Sequence, residues 1–125
     1  MTQNIKDIIR KYWKSVDNRD WTTFERLISE NIVYDLPQTR ERIRGRRALR
    51  EFNETYPGDW SLSIVRLVVD EEGLGVSQIA FENGGEEQTG VSFFELHGGL
   101  IQRITEFWPT PYEPPARYTN LFERY

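Results

Sequence analysis

The chain has no cysteine, a single histidine and a single methionine. Without cysteine there are no disulfides, no thiolate nucleophile and no Cys-based metal site, and one histidine cannot make a His cluster or serve an obvious serine triad. No metal or organic cofactor is therefore expected. Apolar runs are short as well: nothing approaches the roughly 20 residues that a membrane span requires. The first residues, Met1 to Asp7, lack the basic and apolar regions of a secretory signal, so a cytoplasmic location is the expectation. Net positive charge is also missing. At −4 with a pI near 5.1, the chain shows no general affinity for nucleic acid.

What is present is aromatic: 14% Phe, Trp and Tyr in 125 residues, which suits an aromatic-lined cavity but equally an aromatic core or dimer face. The length fits one domain, residues 1–125. Ile5, Ile8, Ile9, Tyr12, Trp13 and Val16 share one helical face, with Asn4 or Thr2 as the cap. Asp20 offers a second cap before Trp21, Phe24, Leu27 and Ile28. Asn31 to Pro37 reads as a short strand whose alternation separates Val33 and Asp35 from Ile32, Tyr34 and Leu36. A third helical stripe is expected from Ala48, Leu49, Phe52 and Tyr56, stopped by Pro57-Gly58.

Between these, Arg40, Arg42, Arg44, Arg46, Arg47 and Arg50 crowd one window with Glu41 and Glu51. The initial spacing of two puts arginines along one edge of an extended segment, where they can meet phosphate or, more commonly, form local ion pairs on a solvated face. The second half is β. Strands from Trp60 to Val69, Leu74 to Glu82, Thr89 to Leu96 and Leu100 onward are separated by Asp70-Glu-Glu-Gly73, Asn83-Gly-Gly85 and His97-Gly-Gly99. Helices followed by a meander define an α+β fold, three N-terminal helices packed on one face of a curved, mainly antiparallel sheet. Residues 109–125 are Pro-rich and then place Tyr118, Leu121, Phe122 and Tyr125 at helical spacing, as in an amphipathic arm that docks on the body or a partner.

Asp35, Glu82 and Glu106 are the strand acids whose alternation can turn them inward. Two carboxylates sharing an apolar cavity repel one another and resist ionisation, which yields a general acid beside a general base. Such a pair moves protons at carbon next to a carbonyl. Tyr12, Tyr34 and Gln78 or Ser92 are the candidate donors to a carbonyl or oxyanion. Competing structural roles exist for each. Glu106 can pair with Arg103 or Arg117; Asp35 can accept backbone N–H groups at a strand end; Glu82 adjoins a hairpin tip; Tyr12 and Trp13 can be core or cavity wall; His97 fits a solvated turn.

The element order, with Arg44-Gly-Arg-Arg-Ala-Leu49 opening the third helix and Phe94-Glu-Leu-His-Gly-Gly-Leu-Ile-Gln-Arg-Ile-Thr-Glu-Phe-Trp108 near the end, resembles the SnoaL-like branch of the nuclear transport factor 2-like superfamily. The resemblance implies a cone with an apolar pocket at its open end, a small apolar ligand such as a carbonyl or polycyclic compound, and homodimers formed through the sheet. In SnoaL polyketide cyclases and limonene epoxide hydrolases, the acid of the last strand is an aspartate acting as acid or base; Glu106 holds that position here. Asp35 falls where the steroid isomerases carry a catalytic Asp. Glu82 matches a second epoxide-hydrolase acid, but Ala80 stands where that family has arginine, and Ser92 stands where steroid isomerases have an oxyanion-site acid. The expected site is thus Glu106 and Asp35 as catalytic residues, with Tyr12, Trp13, Tyr34, Gln78, Glu82, Ser92, Phe94 and Trp108 around the ligand.

Overall fold

A computed structural model describes residues 4–125. Asn4 caps α1 (Ile5–Asp17) by accepting the Lys6 N–H at 2.8 Å; the alternative cap, Thr2, lies outside the described residues. The α1 stripe is buried as its spacing predicts, with Ile8, Ile9, Tyr12, Trp13 and Val16 inside. Asp20 caps α2 (Trp21–Leu27) through the Thr23 N–H and hydroxyl. Strand β1 (Ile28–Leu36) follows without a loop, so it starts earlier than the sequence suggested.

The arginine-rich window forms a short edge strand, β2 (Glu41–Arg44), before α3 (Arg46–Glu54). Leu49 is fully buried on α3 and Phe52 half-buried, whereas Ala48, expected on the same stripe, faces solvent. Four strands complete the chain: β3 (Trp60–Val69), β4 (Leu74–Asn83), β5 (Glu86–His97) and β6 (Leu100–Phe107). Gly84 and Gly85, at φ 62° and 87°, supply the left-handed backbone that joins β4 to β5 in a tight hairpin.

Among the described residues, three helices and one six-stranded mixed sheet make this an α+β fold. The strand order is β2-β1-β6-β5-β4-β3, antiparallel except where β6 lies parallel to β1. That parallel pairing puts β6 in the centre of the sheet, flanked by β1 and β5. Two of the sheet's three bulges reset which residues face inward on β3 and β6. One, between Ile64 and Arg66, lets Leu62 and Ile64 share a face with Leu67 and Val69; the other lets Ile101 and Ile104, three apart on β6, both be buried. The inner face packs on the helices, with the Trp13 indole N–H donating to Ser77 Oγ at 3.0 Å to tie α1 to β4. No described helix is long and apolar enough to cross a membrane.

The C-terminal stretch departs from expectation. After β6 the chain forms neither helix nor strand, and Tyr118, Leu121, Phe122 and Tyr125 are exposed rather than packed on the body. Pro109, Pro111, Pro114 and Pro115 remove backbone donors ahead of the aromatics, and the short Tyr118 to Tyr125 segment, packed on nothing, does not hold a helix by spacing alone.

Candidate functional site

Central placement of β6 determines what surrounds Glu106. Register sets Ser92 of β5 directly beside it, and Tyr34 reaches it from β1 on the other side. The Ser92 hydroxyl donates to Oε1 at 2.6 Å; the Tyr34 hydroxyl and the Trp108 indole N–H, the latter at 3.0 Å, both donate to Oε2. Glu106 is 4% exposed and has no cationic partner among the described residues. Burial pushes its pKa up, and the three donated hydrogen bonds only partly oppose that. A carboxylate receiving three hydrogen bonds but no counter-charge is poised as a proton acceptor, because hydrogen bonds hold the ionised form in place while burial keeps it basic.

The carboxyl opens onto a cavity of about 270 Å³. At roughly 30 Å³ per water, that is the volume of about nine waters, room for a ligand of one or two rings. Of the fifteen described lining residues eight are aromatic, four aliphatic and three polar, and among them Glu106 alone is charged. Tyr12 is 1% exposed and lines this cavity, its hydroxyl without a hydrogen bond among the described residues. No fully buried side-chain N or O there lacks a partner, so the Tyr12 hydroxyl keeps contact with the cavity space and is free to donate to a ligand. Burial first, and the Glu106 charge second, raise the Tyr12 pKa; the same two causes raise that of Tyr34. Both phenols therefore stay protonated and remain donors.

Trp108 is positioned by a glycine. A Cβ on Gly90 would sit 2.7 Å from the Trp108 ring, so only glycine at this point of β5 lets the indole lie over the strand and reach Glu106. Trp108 is held further by its own N–H donating to the Gln38 side-chain oxygen at 2.8 Å.

Of the expected site residues, the structure brings Glu106, Tyr12, Trp13, Tyr34, Ser92 and Trp108 together: Ser92 bonds the carboxylate and the others line the cavity. Four expected members lie elsewhere. Asp35 projects from the opposite face of β1, where Arg42 Nε binds it at 2.5 Å and Arg103 Nη2 at 2.6 Å. Those guanidiniums, Arg42 foremost, hold its carboxyl below the usual range. The reason is parity: the buried partner in this stretch is Tyr34, and adjacent residues on a strand point to opposite faces. Gln78 and Glu82 fail in the same way, since β4 turns Ser77, Ile79 and Phe81 inward; Glu82 is exposed beside Glu87. Phe94 is inward but below the cavity, packed edge-on against Tyr12 and Trp13 with centroids 5.4 and 6.1 Å apart. The proposed arginine partners of Glu106 are engaged elsewhere as well, Arg103 with Asp35 and Arg117 over the Phe122 ring.

The residues not foreseen are Phe52 and Tyr56 from the α3 end, Trp60, Phe81, Asn53 and Gln88. A signal existed for Phe81: with Ile79, which also lines the cavity, it shares the β4 parity that excludes Gln78 and Glu82.

A family model described as the SnoaL-like domain matches residues 9–104, ending two residues before Glu106. A solved structure of a candidate ketosteroid isomerase from Kribbella flavida is 40% identical, covers 97% of this chain and 89% of its own, and superposes with a TM-score of 0.92. Two more distant structures share the fold. An NTF2-like protein of unknown function from Burkholderia xenovorans has 20% identity over 97% of this chain and 94% of its own, with a TM-score of 0.80. A candidate polyketide cyclase from Xanthomonas campestris has 18% identity over 84% and 90%, with a TM-score of 0.69. No curated protein matches the chain. The chain belongs to the SnoaL-like family and has an NTF2-like fold.

Proposed function

We propose that this protein is a cofactor-free acid/base catalyst, an isomerase or cyclase, acting on a small apolar carbonyl compound in the cavity that its helices and sheet enclose as a cone. Glu106 takes a proton from the carbon next to the carbonyl; the electron pair left behind moves onto the carbonyl oxygen, which Tyr12 stabilises by hydrogen bonding; Glu106 then returns the proton at another carbon. The observation that carries this is the buried, unpaired Glu106 carboxylate facing an aromatic cavity next to a free phenol. One carboxylate suffices for proton relocation, so the diversion of Asp35 to arginines removes an assistant and not the base. An epoxide hydrolase is disfavoured, because no arginine lines the cavity among the described residues.

The competing reading is a ligand-binding module without turnover, favoured by the absence of a second acid in the cavity. Hydrogen–deuterium exchange at the α-carbon of a small bicyclic ketone, followed by NMR in D₂O, separates the two. Exchange catalysed by the native chain and abolished in Glu106→Gln, with ketone binding retained, supports catalysis; binding without exchange supports the module.

Self-association is part of the same reading. Phe93 and Phe107 pack edge-to-face on the outer side of the sheet, with centroids 6.1 Å apart, and Val68 and Leu74 remain exposed beside them. A second copy covering this face would bury them. Sedimentation analysis showing a dimer that Phe93→Asp dissociates supports the pairing, and a monomeric native chain contradicts it.

A further inference from the structure

The cavity walls form a closed circuit. Tyr34 packs on Phe52 with ring centroids 5.9 Å apart, Phe52 on Tyr56 at 5.9 Å, Tyr56 on Phe81 at 5.9 Å and Phe81 on Trp108 at 5.5 Å. The circuit closes through Glu106, whose Oε2 accepts from both Trp108 and Tyr34. Three of the four ring contacts are close to perpendicular, with interplanar angles of 72° to 90°. The rings therefore stand in differing orientations around the enclosed space, where a ligand that meets a π face meets the negative end of its quadrupole.

Both parts of this collar select the same charge. An aromatic face carries the negative end of the ring quadrupole and attracts cations. Glu106, once ionised, is a full negative charge in a low-dielectric space, and among the described residues no Lys, Arg or His lines the cavity to balance it. Arg19, the cation stacked on Trp60, belongs to the α1–α2 turn and is not a lining residue. An uncharged carbonyl ligand leaves that anion unbalanced. We propose that the cavity preferentially takes an organic cation, a small compound bearing a tertiary or quaternary ammonium or an iminium group seated within the collar against Glu106. This deepens, and rests on, the assignment of Glu106 as the ionised carboxylate of the ligand cavity. Iminium substrates also suit the donor set: a proton lost from the carbon next to C=N⁺ goes to Glu106, the C–H electron pair becomes the C=C bond, and the C=N π pair moves to nitrogen. The resulting enamine is neutral and needs no oxyanion site beyond Tyr12.

The titratable groups facing Glu106 are Tyr12 from α1 and Tyr34 from β1, both pushed up and neutral, and β5 contributes only the Ser92 hydroxyl. Cation affinity should accordingly fall with pH as Glu106 alone takes up its proton.

The test compares choline with its uncharged tert-butyl isostere, dimethylbutanol, by calorimetry on the full chain at neutral pH. The native protein is expected to bind choline at least about tenfold more tightly. Glu106→Gln should bring the ratio close to one, and Phe81→Leu, which keeps the bulk and removes a ring, should reduce it severalfold. Choline binding no more tightly than its isostere, or binding by neither, overturns the inference, as does a Gln variant that keeps the preference. The ketone-exchange assay separates the two levels. Exchange without cation preference leaves Glu106 a base and removes the cationic ligand; cation preference without exchange keeps the ligand class and removes the base.

Discussion

Two carboxylates on adjacent strands of one sheet, Glu106 on β6 and Asp35 on β1, meet opposite fates. Glu106 faces inward, accepts hydrogen bonds from three neutral donors and has its pKa pushed up by burial. Asp35 faces outward, is held by two guanidiniums and has its pKa pushed down, chiefly by Arg42. Strand parity separates them: Asp35 pairs in register with Thr105, next to Glu106, so the two acids are neighbours in the sheet but not in space. Residue type and proximity along the strands do not identify a catalytic acid. What does is the face it takes and whether its partners are neutral donors or cations.

The largest test of this contrast is Glu106→Gln. The amide can accept from Tyr34 and Trp108 and donate to Ser92, so the fold is retained while proton acceptance is lost; the ketone-exchange rate should drop by about 100- to 10,000-fold. Tyr12→Phe comes next, removing the free donor on the inner face and lowering kcat by about 100- to 1,000-fold with binding little changed. In Gly90→Ala the new methyl meets the Trp108 ring, a strained insertion worth about 1–3 kcal/mol in thermal or denaturant unfolding. Loss of the Trp108 hydrogen bond then raises the Glu106 pKa further, moving the rate–pH profile to higher pH and altering tryptophan fluorescence. Smallest is Asp35→Asn, expected to leave the exchange rate within about twofold, because the outer carboxylate touches nothing in the cavity.

The two acids also predict opposite limbs of stability against pH. A raised folded pKa means that Glu106 contributes stability below its unfolded value, which is lost as pH rises through the folded one. Asp35, with a lowered folded pKa, contributes above its unfolded value and loses that contribution as pH falls through the folded one. Chemical denaturation across pH should show Glu106→Gln flattening the upper limb and Asp35→Asn the lower.

Helices, hairpins and the inward Glu106 were legible in the sequence because capping residues, apolar spacing and Gly-Gly turns are local signals. The α1 stripe from Ile5 to Val16 and the Asn83-Gly84-Gly85 hairpin appear where local chemistry puts them. Legibility ends where pairing is long-range. The insertion of β6 between β1 and β5 brings Tyr34 and Ser92 to Glu106 across 72 and 14 residues of sequence, and no local pattern reports that. Asp35 was misplaced for a different reason: its resemblance to a catalytic position outweighed the alternation that already set it apart from Tyr34. Arg42 and Arg103, its true partners, come from an edge strand read only as an extended segment and from the strand beyond a bulge. The C-terminal aromatics show the converse failure, a helical spacing in a segment too short to hold a helix without packing.

The most direct measurement is a carboxyl ¹³C NMR titration that resolves Glu106 and Asp35 in the same sample. The account predicts Glu106 titrating above the ordinary carboxylate range, and moving down when an organic cation is added, while Asp35 titrates below it and ignores the ligand. A Glu106 that titrates like an exposed glutamate, or that does not respond to any cavity ligand, would contradict its place as the ionisable centre of the site.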